Sequence, residues 1–213
     1  VINAVNLIDG IDGLAGSVGI IASGTFGIFF YLSGDYGYTV MAVALIGALI
    51  AFLRYNFSNG PNKIFMGDTG SLVIGFTLAV FAVRFNELVA GGNSIIDLKS
   101  APSVSIAILI VPLFDTLRVI TLRLHYHQNP FTADHRHIHH MMLRAGYSHK
   151  KATLIIGIFN IMMIAVAFLL DGLGILLLGL VLLAICLLMT FILTRYVSRR
   201  ETALTGVTSP GSI

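Results

Sequence analysis

Long apolar runs alternate with short polar stretches along the chain, and this pattern predicts helices that cross a membrane. A membrane-spanning helix needs about 20 predominantly apolar residues, and six runs reach or approach that length. Glycines and asparagines mark the short connections, where the chain must turn sharply. The predicted spans are residues 14–32, 39–53, 71–85, 104–120, 152–170 and 173–194.

The positive charges assign the connecting segments to two sides of the membrane. If all six runs cross, one side receives eleven of the 13 Lys and Arg residues, and the other receives only Arg84 and Lys99. Loops rich in Lys and Arg stay in the cytoplasm, so the first side is predicted to be cytoplasmic. The same side holds the three polar motifs described below, which are therefore predicted to meet.

The composition agrees with a membrane protein, because 56% of the residues are hydrophobic and only 11% are charged. A net charge of +3 is too small for a nucleic-acid-binding surface. We therefore predict an all-α, polytopic integral membrane protein with about six transmembrane helices and cytoplasmic catalytic loops. Residues 1–200 are predicted to form a single transmembrane domain, and residues 201–213 a disordered tail.

The first polar motif places a polar residue at every third position, at Asn3, Asn6, Asp9 and Asp12. Each step of three falls about 60° short of a full helical turn, so the four residues would wind around a helix, although neighbouring carboxylates still converge. A glycine follows each aspartate and allows the helix to break there, with the carboxylates at its end. A helix cap would explain Asp12 alone, so we favour a binding or catalytic role.

The second motif, Gly67-Asp68-Thr69-Gly70, stands directly before the third predicted span. A carboxylate is a hard oxygen ligand that suits Mg²⁺, and free amides at the start of a helix bind phosphate. A simple N-cap at Asp68 or Thr69 is the structural alternative. By itself, the motif leaves both interpretations open.

The third motif concentrates histidines at His135, His137, His139 and His140. Spacings of three and four positions would create a dense imidazole surface on a helix. Such pairs are common ligands of zinc and nickel, but the surrounding Arg and Lys residues disfavour a second cation and favour phosphate. The other histidines are predicted to be solvated loop residues: His125, His127 and His149.

An ion pair is predicted in the fourth span, where Asp115 and Arg118 are three positions apart and Pro112 is expected to kink the helix. Two roles remain open for this pair. It is either a structural ion pair near the cytoplasmic end of the span or part of an anion-binding site.

Together, four segments resemble the polyprenyl-phosphate N-acetylhexosamine-1-phosphate transferases of glycosyltransferase family 4. These segments are residues 3–15, 64–71, 112–118 and 130–140. The resemblance implies transfer of a sugar phosphate from a UDP-sugar to a polyprenyl phosphate lipid, with release of UMP and with Mg²⁺, or Mn²⁺ in its place, as cofactor. It implies a bacterial inner-membrane protein with a cytoplasmic active site, and it leaves open whether the protein forms a homodimer.

The resemblance also implies roles for individual residues. Asp68 corresponds to the Mg²⁺-binding aspartate of the family, and Asn56 and Phe65 fall where the family contacts uracil. The implied catalytic residues are Asp9, Asp12, Asp68, His137, His139 and His140. The implied substrate-binding residues are Asn3, Asn6, Asn56, Phe65, Arg118 and Arg136.

The His-Ile-His-His sequence, preceded by Asp134, resembles the branch that uses UDP-GlcNAc. The phospho-MurNAc-pentapeptide transferases, which show a proline before three histidines, are the alternative within the family. A divalent-metal transporter and a non-catalytic membrane scaffold are alternatives from other classes. The family's pair of adjacent aspartates on an earlier segment is absent, so we expect this chain to be the C-terminal part of a longer protein and inactive alone.

Overall fold

The computed structural model describes residues 1–92, 94, 96–129 and 136–205. Within these residues the chain is all-α, with nine helices and one short 3-10 turn at Asp171–Leu173. The helices are α1 (Ile2–Ile8), α2 (Leu14–Leu32), α3 (Tyr36–Asn56), α4 (Gly67–Ala90), α5 (Ala101–Ile108), α6 (Ile110–His125), α7 (Ile138–Arg144), α8 (His149–Leu169) and α9 (Ile175–Thr205).

Five helices are long and apolar enough to cross a membrane, namely α2, α3, α4, α8 and α9. Helices α5 and α6 give a sixth candidate span only as a pair that is bent by 83°. The prediction of a polytopic, all-α membrane protein is confirmed. The prediction of a kink in the span over residues 104–120 is confirmed, but the predicted position at Pro112 is wrong, because the helix breaks three residues earlier.

The break lies at Leu109, and Pro112, which the sequence predicted as the kink, lies in the first turn of α6. Proline is tolerated there because its missing N–H would have no helical partner. The fully buried side chain of Asn160 in α8 donates to the carbonyls of Ala107 and Ile108, at 3.4 and 3.2 Å. A polar backbone group without a partner is costly inside a membrane, so Asn160 stabilises the bend.

Helix α2 forms the buried centre of the bundle, and small residues let α3 approach it closely. A Cβ atom added at Gly27 would lie 2.9 Å from the Cβ of Ala42, and one at Gly19 would lie 2.8 Å from a methyl of Leu49. Such small-residue contacts are typical of helix pairs in membranes. The bundle therefore depends on close packing along α2 to hold α1 and the first motif in place.

Helix α9 continues to Thr205, past Glu201, where the sequence predicted a disordered tail to begin. Its last turns pack against α7, which carries His139 and His140, and against the turn after it: Val197 is buried, and the ring of Tyr196 lies 6.4 Å from that of Tyr147. Arg200 donates to the carbonyl of Ala145, just after α7. Residues 206–213 of the predicted tail lie outside the described residues.

Candidate active site

The first motif forms a short helix and a turn, as its glycines predicted. Helix α1 ends at Ile8, so Asn3 and Asn6 are helical, whereas Asp9 and Asp12 lie in the turn before α2. Gly13 has a positive φ of 78°, a conformation that side chains with a Cβ rarely adopt. The turn therefore directs the two carboxylates away from the helix axes, toward the neighbouring polar segments.

The first and second motifs meet through Asn6. Its side-chain amide lies 3.0 Å from a carboxylate oxygen of Asp68 and 2.8 Å from the hydroxyl of Ser71. Asp68 lies in the first turn of α4, where negative charge is favoured by the helix dipole. The predicted convergence of these two motifs is confirmed, and Asn6 has a role in positioning Asp68.

Asp9 and Asp68 form a pair of interacting carboxylates. Partial burial, with a further contribution from the charge of Asp68, raises the pKa of Asp9 to about 6. Two neighbouring carboxylates disfavour each other's charge unless a cation is bound between or beside them. The environment therefore suits a divalent cation.

The carboxylates of Asp9 and Asp68 are oxygen ligands of the kind that Mg²⁺ prefers. Among the residues that the structure describes, no group of three or more His, Cys, Asp and Glu side chains is arranged to hold a metal. Mg²⁺ is commonly bound by one or two carboxylates, with water and substrate phosphate completing its shell. Asp68, together with Asp9, would hold the cation in this way, and the ion would neutralise phosphate charge.

Asp12 lies in different surroundings from Asp9. Its carboxylate lies 2.7 Å from the Nζ of Lys63 and 3.3 Å from the Nδ1 of His149, and its carbonyl accepts from the hydroxyl of Thr153 at 2.8 Å. The charge of Asp12 is thus balanced by the ammonium group of Lys63. His149 is solvent-exposed, as predicted, but it begins α8 instead of lying in a loop, and it contacts Asp12.

Asn56 and Phe65 contrast sharply in their exposure. Asn56 is buried: its side-chain oxygen accepts from the N–H of Gly13 at 2.6 Å, and its amide donates to the carbonyl of Ile64 at 2.9 Å. Phe65 is 76% exposed, with the Nζ of Lys63 5.3 Å from its ring centre. Contact of both residues with uracil stays a prediction, and the structure adds a positioning role for Asn56.

The histidines lie against the first motif. His137 precedes α7 as its N-cap residue, so the prediction of one helical face that includes His137 is wrong; His135 lies outside the described residues. The ring of His139 packs on Gly10, where any Cβ would clash with the imidazole. His140 lies next to it, with ring centres 4.2 Å apart. This contact completes the predicted meeting of the three motifs.

His139 is a buried imidazole with no hydrogen-bond partner within the described residues. Burial, followed by the nearby charge of His140, lowers its pKa to about 4. His139 is therefore neutral at physiological pH, with both ring nitrogens unsatisfied. Buried polar groups without a partner are rare and expensive, which is consistent with a nitrogen reserved for a ligand.

Asp115 and Arg118 form the predicted ion pair, at 3.1 Å, and both side chains are buried. Arg118 also donates to the carbonyl of Arg136. These contacts favour the structural interpretation of Arg118. The second oxygen of Asp115 lies 2.9 Å from the Nδ1 of His137, a contact that sequence reasoning missed because its partners are 22 positions apart.

Two predicted substrate-binding residues remain, Asn3 and Arg136. Asn3 is exposed on α1, and the guanidinium of Arg136 lies 5.4 Å from the ring centre of Tyr126. Their contact with substrate stays a prediction.

Comparison with known proteins gives consistent results. Residues 1–86 match the family described as Glycosyl transferase family 4. The chain is 32% identical to the decaprenyl-phosphate N-acetylglucosaminephosphotransferase of Mycolicibacterium smegmatis, over 73% of the chain and 41% of the relative. It is 30% identical to the undecaprenyl-phosphate alpha-N-acetylglucosaminyl 1-phosphate transferase of Yersinia pestis, over the same shares.

The undecaprenyl-phosphate alpha-N-acetylglucosaminyl 1-phosphate transferase of Escherichia coli K12 is 28% identical to the chain, over 80% of the chain and 45% of the relative. No solved structure matches the chain. The chain spans less than half the length of the curated relatives named here. The matched segment contains the first motif and Asp68, and the structure brings these together at one end of the membrane helices. The chain belongs to glycosyl transferase family 4.

Proposed function

We propose that the protein containing this chain transfers N-acetylglucosamine 1-phosphate from UDP-GlcNAc to undecaprenyl phosphate and releases UMP. The observation that carries this proposal is the carboxylate pair of Asp9 and Asp68, which lies beside the histidine cluster at one end of a bundle of membrane helices. A lipid phosphate and a nucleotide diphosphate can both reach such a place. The names of the relatives support the choice of sugar and lipid.

The chemistry requires that charge repulsion be overcome. An oxygen of the lipid phosphate attacks the phosphorus that carries the sugar, and the bond from that phosphorus to the departing UMP oxygen breaks. Both reactants are anions, so a cation and hydrogen-bond donors lower the barrier by stabilising the charge. Bound Mg²⁺ would supply that charge stabilisation at Asp68.

The histidines need not remove a proton from the lipid phosphate, since a phosphate monoester is already ionised near neutral pH. We therefore assign His137, His139 and His140 to phosphate contact and to stabilisation of departing UMP. His139, neutral and without a hydrogen-bond partner in the part of the chain that the structure describes, is suited to donate one hydrogen bond to a phosphate oxygen. A direct displacement and a two-step route through an aspartyl intermediate both remain compatible with this assignment.

We further propose that the site faces the cytoplasm of a bacterial inner membrane. The end of the bundle that holds the motifs also carries eleven of the 13 Lys and Arg residues, which favours a cytoplasmic location. UDP-sugars would reach it from the cytoplasm, and the lipid from the adjacent leaflet.

The test is UMP release by the full-length protein in detergent, with UDP-GlcNAc, undecaprenyl phosphate and Mg²⁺. Release is expected to require the lipid and the metal, with Mn²⁺ as a substitute, and to fall by at least about 10²-fold in Asp68→Asn. Asp97→Asn, a carboxylate change in the connection between α4 and α5, is the matched control and is expected to retain activity.

Release with UDP-MurNAc-pentapeptide in place of UDP-GlcNAc would replace the proposed donor with that of the alternative branch. If UMP is released with neither donor, the transferase assignment is overturned. Unchanged activity in Asp68→Asn would overturn the metal assignment alone.

A further inference from the structure

The carboxylate of Asp115 receives three donors at the base of the histidine segment. Only 1% of Asp115 is exposed. One oxygen accepts from the backbone N–H of Ile138 at 3.0 Å and from Arg118 at 3.1 Å. The other oxygen lies 2.9 Å from the Nδ1 of His137. Two of the three donors thus belong to the segment that carries the histidines.

This arrangement determines which nitrogen of His137 carries a proton. The carboxylate of Asp115 can only accept hydrogen bonds while it is ionised, and the neighbouring guanidinium and backbone N–H favour the ionised form. The Nδ1 of His137 must then be the donor. The Nε2 on the opposite edge of the ring is the nitrogen that remains for another partner.

The burial of Asp115 argues against a purely incidental contact. Removing an ionised carboxylate from water is costly, and a buried ion pair is often no better for stability than well-packed apolar residues. The three hydrogen-bond donors offset this cost, and the contact fixes the position of the His137 imidazole and the nitrogen that carries its proton. The ring of His137 also lies parallel to that of His139, at 5.7 Å, so the same contact orders the next imidazole.

We propose that Asp115 is a positioning residue for the transfer reaction: it holds one proton of His137 on Nδ1, so that Nε2 can take a second proton from solvent and donate a hydrogen bond to a phosphate oxygen of the substrates. This inference rests on the proposed function, because it assigns His137 to phosphate contact. Arg118 assists by holding the same carboxylate and the carbonyl of Arg136.

The decisive variant is Asp115→Asn in the full-length protein. Asparagine keeps the shape of the side chain, but its amide group would face the Nδ1 of His137, so the imidazole is expected to keep a single proton, on Nε2, and to lose the carboxylate that stabilises a second, positively charging proton. Loss of such an orienting partner lowers activity by about 10–100-fold, and by more where the tautomer changes. We expect kcat for UMP release to fall by at least about 30-fold, with KM for UDP-GlcNAc changed by less than about 3-fold.

A double-mutant cycle distinguishes positioning from a general structural role. If Asp115 acts through His137, then Asp115→Asn should change the residual activity of His137→Gln by less than about 3-fold, since residues that act as a unit are not additive. Independent effects that multiply would overturn the proposal. Asp35→Asn, which removes an ion pair with Arg84 at the opposite end of the bundle, is the matched control and should leave kcat unchanged.

A second readout does not require activity. In protein labelled with ¹⁵N-histidine, the signal of His137 is identified by its loss in His137→Gln. That signal should report a proton on Nδ1 in the original protein and on Nε2 in Asp115→Asn. The same tautomer in both would overturn the inference. If no UMP is released by the original protein, the proposed function fails, and the tautomer measurement still decides whether Asp115 controls His137.

Discussion

The side-chain oxygen of Asn56 accepts a 2.6 Å hydrogen bond from the backbone N–H of Gly13, 43 positions earlier in the chain. The amide of the same side chain donates to Ile64, which precedes Asp68. Asn56 therefore joins the turn that carries Asp9 and Asp12 to the loop that leads into α4 and Asp68. Together with the contact between Asn6 and Asp68, this buried amide fixes the relative position of the carboxylates.

Asn56→Ala should destabilise the protein and disturb the site. The buried N–H of Gly13 loses its acceptor, and the carbonyl of the more exposed Ile64 loses its donor, at a cost of about 1–3 kcal/mol. The melting temperature in detergent is expected to fall by several degrees, and UMP release to fall with it. Asn62→Ala, at an exposed position in the same loop, is the control. Equal melting temperatures for the two variants would contradict the role of Asn56.

Asp9 should make the protein less stable as the pH rises. Its pKa is about 6 in the folded protein, above the ordinary 3.8, so the folded state binds the proton more tightly. The stabilising contribution of the protonated group is complete below the ordinary pKa and is lost as the pH rises through about 6. At about pH 7.5, Asp9→Asn should raise the melting temperature by about 2–4 °C, or about 1 kcal/mol after solvent screening.

The same variant reports on the metal. Mg²⁺ should raise the melting temperature of the original protein, because binding to the folded state stabilises it. The rise should be much smaller in Asp9→Asn, which has one fewer charged oxygen donor. An identical response to Mg²⁺ in the two proteins would exclude Asp9 from the metal site.

His139 should have the opposite dependence on pH. Burial lowers its pKa to about 4 from 6.5, so the unfolded chain binds a proton that the folded protein excludes. Stability is therefore lost as the pH falls from about 6.5 toward 4. His139→Phe should weaken this acid-induced loss, whereas His125→Gln, at the exposed end of α6, should not.

The contribution of Asp9 to stability changes over the same pH range with the opposite sign. His139→Phe and His125→Gln are therefore best compared in an Asp9→Asn background. Melting temperatures measured between about pH 4 and 7.5 would then isolate the imidazole. A loss of stability in acid that is unchanged by His139→Phe would show that this ring is not the group responsible.

The spans were predictable because a membrane imposes length and hydrophobicity, and α2, α3, α4, α8 and α9 follow those rules. A kink in the sixth candidate span was predictable from Pro112, but the position of the break was not. The break at Leu109 lies between apolar neighbours, and the group that satisfies its carbonyls, Asn160, is about fifty positions away. Hydropathy alone carries no signal for such a break.

The meeting of the motifs was predictable from their common side of the membrane, but their pairing was not. Asp12 contacts Lys63 and His149, and Asp115 contacts His137. These contacts depend on the rotation of helices and on loop paths that no local pattern specifies. In particular, the sequence suggested one role for Asp9 and Asp12, whereas their surroundings give them different roles.

Arg200 should secure the histidine helix from the end of α9. Its guanidinium donates to the carbonyl of Ala145, at the end of α7, where a cation also complements the helix dipole. Arg200→Ala should reduce kcat for UMP release by a few-fold and lower the melting temperature slightly. Arg199→Ala, at the exposed neighbouring position, is the control. Equal activities would show that α9 does not support the histidines.

Asn160→Leu should test whether the bend between α5 and α6 depends on its partner in α8. The substitution preserves approximate volume but leaves the carbonyls of Ala107 and Ile108 without the amide, and interhelical hydrogen bonds in membranes contribute about 0.6–2 kcal/mol. We expect a lower melting temperature and weaker UMP release, because α6 carries Asp115 toward the histidines. Thr190→Val, which removes a hydroxyl bonded only within its own helix, should have a smaller effect on both. If Asn160→Leu retains full stability and activity, the bend is held by packing and not by this amide.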